Sequence, residues 1–104
     1  MPYIKQDERV KIDVCVDALA EALRATGDDG IEGSTNYAIT TLLCKAMRPQ
    51  GGWKYKWLNR VVGTLECIKL EFYRRGASVY EDGCIERNGD VKDYEDFLAN
   101  FLAK

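Results

Sequence analysis

The 104-residue chain contains no histidine. This absence excludes Ser-His and Cys-His nucleophilic catalysis, histidine-ligated metal sites and the most common proton shuttle at pH 7. The four cysteines are far apart and lack the C-x-x-C spacing of metal or redox sites: Cys15, Cys44, Cys67 and Cys84. We expect no enzymatic activity, no metal site and no cofactor, and we interpret the cysteines as free thiols used as small core residues.

Long apolar runs are also missing. No stretch approaches the roughly 18 to 20 apolar residues that a membrane helix requires, and residues 1–8 lack the apolar core of a signal peptide. Apolar residues make up 46% of the chain and charged residues 31%, which is the balance of a globular protein. We therefore expect one cytoplasmic domain over residues 1–104, without membrane contact.

Apolar residues recur at helical spacing along most of the chain, which predicts an all-α fold. The pattern predicts a small bundle of three main helices, over residues 7–26, 34–47 and from Trp53 past Tyr73, each burying one face. A short helix or turn is expected over residues 80–87, with a strand as the alternative. Gly63 inside the third helix costs roughly 1 kcal/mol of helix propensity and therefore predicts a close helix crossing.

A final amphipathic helix is predicted over residues 91–103. Its apolar face is formed by Tyr94, Phe97, Leu98, Phe101 and Leu102. We expect the segment 91–104 either to dock on the core or to exchange between subunits. Val10 and Val14 lie off the main apolar stripe of the first helix and predict a second contact there, with a subunit or with the terminal helix.

Acidic residues are absent between Glu32 and Glu66, although the whole chain has a formal net charge of −2. That stretch holds five basic residues: Lys45, Arg48, Lys54, Lys56 and Arg60. We name residues 45–60 the basic-aromatic segment, because aromatic and basic residues alternate near its end, where a helix is expected to begin. A helix N-terminus attracts anions, lysine neutralises phosphate and aromatic faces stack bases.

The residues predicted to bind an anionic ligand are Trp53, Lys54, Lys56, Trp57, Arg60, Arg74 and Arg75. Two alternatives remain open at this point. Helical geometry favours a core position for much of the aromatic content of the segment, and Arg74 and Arg75 are also suited to oppose the negative end of the third helix dipole. The nearby carboxylates are interpreted as structural: Glu66 as a polar contact, and Glu81, Asp82, Glu86 and Asp90 as surface or capping residues.

Several stretches together resemble an uncharacterised family of small phage and bacterial proteins. They are Met1-Pro2-Tyr3-Ile4-Lys5, Asn36-Tyr37-Ala38-Ile39-Thr40, residues 62–75 with the pattern VGTLECIKLEFYRR, Tyr80-Glu81-Asp82, and residues 86–91 with the pattern ERNGDV. The resemblance implies a phage or bacterial source and assigns no role to any residue. The chain departs from the family pattern after Val91, where the predicted terminal helix follows.

Binding is the function class that these observations favour. We expect a homo-oligomer that binds a host protein or an anionic ligand such as a nucleotide, and that acts in counter-defence if its source is a phage. The alternative is a nucleic-acid-binding accessory protein that uses the basic-aromatic segment. A third class is an enzyme that relies on Glu, Lys, Tyr or Cys side chains alone.

Overall fold

The computed structural model of the protein describes residues 2–103, and within this range it contains helices and no strand. The helices are α1 (Gln6–Arg24), α2 (Ile31–Ala46), α3 (Tyr55–Phe72), α4 (Ser78–Asn88) and α5 (Lys92–Leu102). A π-helical turn over Tyr73–Ala77 joins α3 to α4 without a break. The all-α fold predicted from apolar spacing is confirmed, and α4 replaces the strand alternative over residues 80–87.

The chain divides into two compact units, residues 1–67 and 68–104. The first unit holds α1, α2 and most of α3, and α1 packs against α2. The second unit holds the end of α3, the π-helical turn, α4 and α5, and the π-helical turn contacts α4. The single domain expected from chain length stays a prediction.

Glycines end two of the helices as the sequence indicates. Gly27 follows α1 with φ of 82°, and Gly89 follows α4 with φ of 85°. Positive φ is strained for side chains other than glycine, so these residues stop the helix and turn the chain. The amide of Gly89 donates to the carbonyl oxygen of Ile85 at 2.8 Å, which closes the last turn of α4.

The start of α2 differs from the prediction. The helix begins at Ile31, three residues before the predicted start at residue 34. Gly30 occupies the N-cap position, and the amide of Ser34 donates to the Gly30 carbonyl oxygen at 3.0 Å. Glycine at an N-cap costs only a few tenths of a kcal/mol relative to serine, so the helix gains a turn at little cost.

Over the described residues, neither unit contains the predicted buried core. None of residues 2–103 is buried, and the apolar stripes of α1, α2 and α3 are half-buried or exposed. Cys15, Cys44 and Cys67 are exposed and Cys84 is half-buried, so the interpretation of the cysteines as core residues is wrong for this chain. Helical spacing identifies which residues share a face, but it does not identify what covers that face.

The exposed area shows how much surface the chain leaves uncovered. The chain exposes 9458 Å², whereas two separate compact bodies of 67 and 37 residues expose about 7,100 Å² together. The difference of about 2,400 Å² is surface that folded proteins of this size normally remove from water. The close helix crossing predicted at Gly63 is also not found, because a Cβ placed there meets no atom within 4 Å in the described chain.

Candidate functional site

The basic-aromatic segment covers the end of α2, the linker and the beginning of α3. Lys54 caps α3, since its carbonyl oxygen accepts hydrogen bonds from the amides of Trp57 at 2.9 Å and Leu58 at 3.1 Å. The first turn of α3 contains no acidic residue. Lys54 and Lys56 flank the first residue of α3 in sequence, so their charges add to the partial positive charge at the start of the helix.

Trp57 and Arg60 form the best-defined contact of the segment. The guanidinium carbon of Arg60 lies 4.5 Å from the centroid of the Trp57 ring, a cation–π contact of about 0.5–1 kcal/mol at an exposed position. Trp57 is half-buried, while Arg60 remains exposed. The contact holds the guanidinium beside the indole and leaves its outer edge open to an anion.

A shallow basin of about 490 Å³ adjoins this pair. Its lining residues are Met47, Trp57, Arg60, Gly63, Thr64 and Cys67. Gly63 contributes no side chain, so the floor of the basin is the α3 backbone. The Thr64 hydroxyl donates to the Arg60 carbonyl oxygen at 2.7 Å, which ties it to the helix and leaves its oxygen as an acceptor toward the basin.

The aromatic rings of the segment are mostly outside any core. Trp53 is 39% exposed and Tyr55 is 77% exposed, while Trp57 alone is half-buried. The interpretation of these rings as core residues is therefore wrong for Trp53 and Tyr55 in the single chain. Lys54 and Lys56 are exposed as well. The segment thus presents aromatic faces and cations together, which is the combination that binds phosphates and planar bases.

The two predicted arginines lie in the second unit, within the π-helical turn. Because the helical backbone continues to Asn88, Arg74 and Arg75 do not stand at a helix C-terminus, and the prediction that they oppose a dipole end is wrong. Arg74 Nη2 lies 2.7 Å from Glu71 Oε1, an ion pair one turn apart. This pair holds the Arg74 guanidinium in place, and Arg75 beside it is exposed.

Tyr73 and Glu81 form a contact that sequence spacing did not indicate. The Tyr73 hydroxyl donates to Glu81 Oε2 at 2.8 Å. The hydrogen bond and the negative charge of Glu81 raise the pKa of Tyr73 above its ordinary value of 10.0. Residues eight apart lie about 12 Å apart along a regular α-helix. The two side chains meet across the π-helical turn. No local sequence signal predicts the i→i+5 hydrogen bonding of such a turn.

An apolar groove runs between α1 and α2, and sequence reasoning did not predict it. Two adjoining cavities of about 530 and 370 Å³ form it. Both are lined by Leu19 and Leu42. The remaining lining residues are Lys11, Ile12, Cys15, Val16, Leu23, Gly33, Ser34, Tyr37, Ala38, Thr41 and Lys45. Helical spacing had assigned most of its apolar residues to a filled core.

Metal and membrane features complete the description. Residues 2–103 contain no group of three or more cysteine, aspartate or glutamate side chains placed to hold a metal ion. No helix in this range is both long and apolar enough to cross a membrane.

A family model described as a domain of unknown function (DUF6899) matches residues 1–91. The match includes the stretches that carried the resemblance, and α5 follows the matched range. The phage or bacterial source implied by the resemblance stays a prediction. Curated proteins and solved structures gave no match.

Proposed function

The chain belongs to the DUF6899 family, whose function is unknown, and we propose that it is a non-enzymatic binding protein that works as a homo-oligomer in the cytoplasm. Its basic-aromatic segment binds an anionic ligand, and a nucleotide is the ligand class we favour. The observation that carries the proposal is that none of residues 2–103 is buried.

Self-association is supported by the amount of exposed apolar surface. Each chain exposes about 2,400 Å² more surface than two compact bodies of the same sizes. This is more than the roughly 800 Å² that each partner buries in an interface of standard size. Large side chains on every helix contribute to it, among them Val14, Leu42, Val62, Tyr80 and Phe101. Exposed apolar surface beyond what a monomer normally shows marks interaction sites in soluble proteins.

Anion binding is supported by charge and geometry in the basic-aromatic segment. Lys54, Lys56 and the α3 N-terminus concentrate positive charge where the chain has no acidic residue in sequence from 33 to 65. The basin beside Trp57 and Arg60 adds an indole, a guanidinium and an open backbone floor at Gly63. A nucleotide matches this set, since its phosphates pair with the cations and its base packs on an aromatic face.

The biological role is proposed from the resemblance to phage and bacterial proteins. A cytoplasmic oligomer that binds a nucleotide tightly would withdraw it from the host, and binding of a host protein by the same surface is the other form of this proposal. In a phage-infected cell either activity would serve counter-defence.

The test combines native mass with a charge reversal. Native mass spectrometry of the purified protein is expected to show an oligomer, and calorimetry is expected to detect binding of ATP or pyrophosphate. The double variant Lys54→Glu, Lys56→Glu should weaken this binding at least tenfold. The matched control Lys5→Glu, Arg24→Glu changes the formal charge equally outside the segment and should bind normally. A monomer, or equal binding by both variants, would contradict the proposal.

Single-stranded nucleic acid is the second candidate ligand. It is favoured by the alternation of exposed Trp53 and Tyr55 with Lys54 and Lys56, because each ring can stack a base while each lysine neutralises a phosphate. Titration of a fluorescent oligonucleotide at several salt concentrations separates the two. Nucleic-acid binding predicts a linear loss of log affinity with log salt, with a slope that falls in the double variant.

A further inference from the structure

We propose that the groove between α1 and α2 is the docking site for α5 of a second copy of the chain. This inference rests on the homo-oligomer proposed above and specifies which surfaces meet. Three properties of the groove and of α5 support it: exposure, length and charge.

Both surfaces are open to solvent in the single chain. Leu19 and Leu42, which line both cavities of the groove, are exposed. On α5, Phe101 is 69% exposed and Leu102 is 79% exposed. Phe97 and Phe101 stack with ring centroids 6.3 Å apart, so these two rings form an apolar ridge along α5. A ridge and a groove that are both apolar cover each other's exposed surface.

The lengths of the two surfaces agree. The groove extends along α1 from Lys11 to Leu23, which corresponds to about 18 Å of helix. α5 contains 11 residues, or about 16 Å. A single helix of this length therefore fills the groove from end to end.

The charges of the two surfaces are complementary. Among the described residues that line the groove, Lys11 and Lys45 are basic and none is acidic. Asp93 and Glu95 lie in the first turn of α5. At 100° per residue, one of them flanks each edge of the apolar face of α5. Two carboxylates on the ridge thus meet two lysines on the groove.

The positions of these charges also set the direction of docking. A short loop joins α1 and α2, which therefore run antiparallel, so Lys11 near the start of α1 and Lys45 near the end of α2 lie at the same end of the groove. Both carboxylates of α5 lie near its N-terminus. The helix consequently docks parallel to α1, with its N-terminal end at the lysines and Phe101 toward Leu23.

Reciprocal docking gives a closed pair. If α5 of each copy fills the groove of the other, both interfaces use the same two surfaces, and a two-fold dimer satisfies both without leaving a groove free.

Disulfide trapping tests the proposed contact. Cys15 lines the groove one turn beyond Lys11, and parallel docking places it level with Leu98, one turn beyond the carboxylates. The variant Leu98→Cys, in a background of Cys44→Ser, Cys67→Ser and Cys84→Ser, should form a disulfide with Cys15 on mild oxidation. The matched control Asn100→Cys places a thiol on the opposite side of α5 and should not.

The product identifies the occupant. Covalent dimers that form at least tenfold faster with Leu98→Cys than with Asn100→Cys support the proposal. A disulfide within one chain, detected as a loss of two hydrogens without dimer formation, would overturn it, as would equal or no reaction of the two thiols. Native mass is measured on the same samples. An oligomer without the disulfide overturns this docking mode alone, whereas a monomer overturns the proposed homo-oligomer too.

Charge reversal is the second measurement and does not require a thiol on the apolar face. The variant Lys11→Glu, Lys45→Glu should raise the dissociation constant of the dimer at least tenfold. Adding Asp93→Lys and Glu95→Lys to the same chain should restore most of the affinity, because both interfaces regain opposite charges. Failure of this restoration, with all variants helical by circular dichroism, would contradict the charge pairing.

Discussion

Truncation of Leu42 distinguishes a groove that is open to water from one that is covered. Leu42 lines both cavities of the groove and is 53% exposed in the single chain. Full burial of a leucine side chain contributes about 1.5–3 kcal/mol, so Leu42→Ala in an isolated chain should cost about 1 kcal/mol. In a groove filled by a second copy, the same truncation leaves a cavity and should cost about 2.7–5 kcal/mol.

Leu70 supplies a matched control. It is 56% exposed and lies within α3 as Leu42 lies within α2. At 100° per residue it stands about 150° from the centre of the apolar face of α3, which is formed by Leu58, Val61, Val62, Leu65, Ile68 and Phe72. Leu70→Ala should therefore cost about 1 kcal/mol. Both substitutions exchange leucine for alanine inside a helix, so the small difference in helix propensity cancels between them.

Urea unfolding followed by circular dichroism measures both variants. Unfolding should be recorded at two protein concentrations at least fiftyfold apart, because the stability of an oligomer depends on concentration. We expect the urea midpoint of the wild type to rise with protein concentration. We also expect Leu42→Ala to be at least 1.5 kcal/mol less stable than Leu70→Ala, which is about the difference between the cost in a covered groove and the cost at an exposed position. Equal costs with midpoints independent of concentration would refute the covered groove.

Two further predictions concern local features. Tyr73→Phe removes the hydrogen bond to Glu81. Because folding raises the pKa of Tyr73, this bond should stabilise the wild type fully below about pH 10, and its contribution should be lost above that pH. Thermal unfolding from pH 8 to 11 should show a steeper alkaline loss for the wild type, and parallel curves would argue against the bond. Gly63→Ala should stabilise the chain by about 0.8–1 kcal/mol, since an added Cβ meets no atom within 4 Å. Destabilisation in urea unfolding would reveal a close helix approach in the oligomer.

The candidate site could be predicted only in part. Lys54, Lys56 and Arg60 were identified from charge, and all three lie exposed, because charged side chains remain hydrated wherever the backbone goes. The stacking of Arg60 on Trp57 follows from their i, i+3 spacing on one helix. The Tyr73 to Glu81 contact could not be predicted, because the register change at the π-helical turn has no local sequence signal.

The sequence by itself determined the helices. The signals that determine a helix act within one or two turns of the chain, so they can be recognised from the sequence alone. They are apolar spacing, glycines at helix ends and acidic residues in first turns. This local information placed both ends of α1 and α5, and the start of α3, within two residues of their bounds and marked the apolar faces of these helices.

Only the tertiary structure decided how those faces are used. Burial depends on which helices approach each other, and that depends on contacts between residues distant in sequence. Leu19, Leu42 and Val62 have the spacing of core residues, yet they are exposed in the folded chain. An apolar face that is buried within its own chain and one that is exposed until a partner covers it have the same sequence pattern. The reason is that the hydrophobic effect favours apolar contact without specifying the partner.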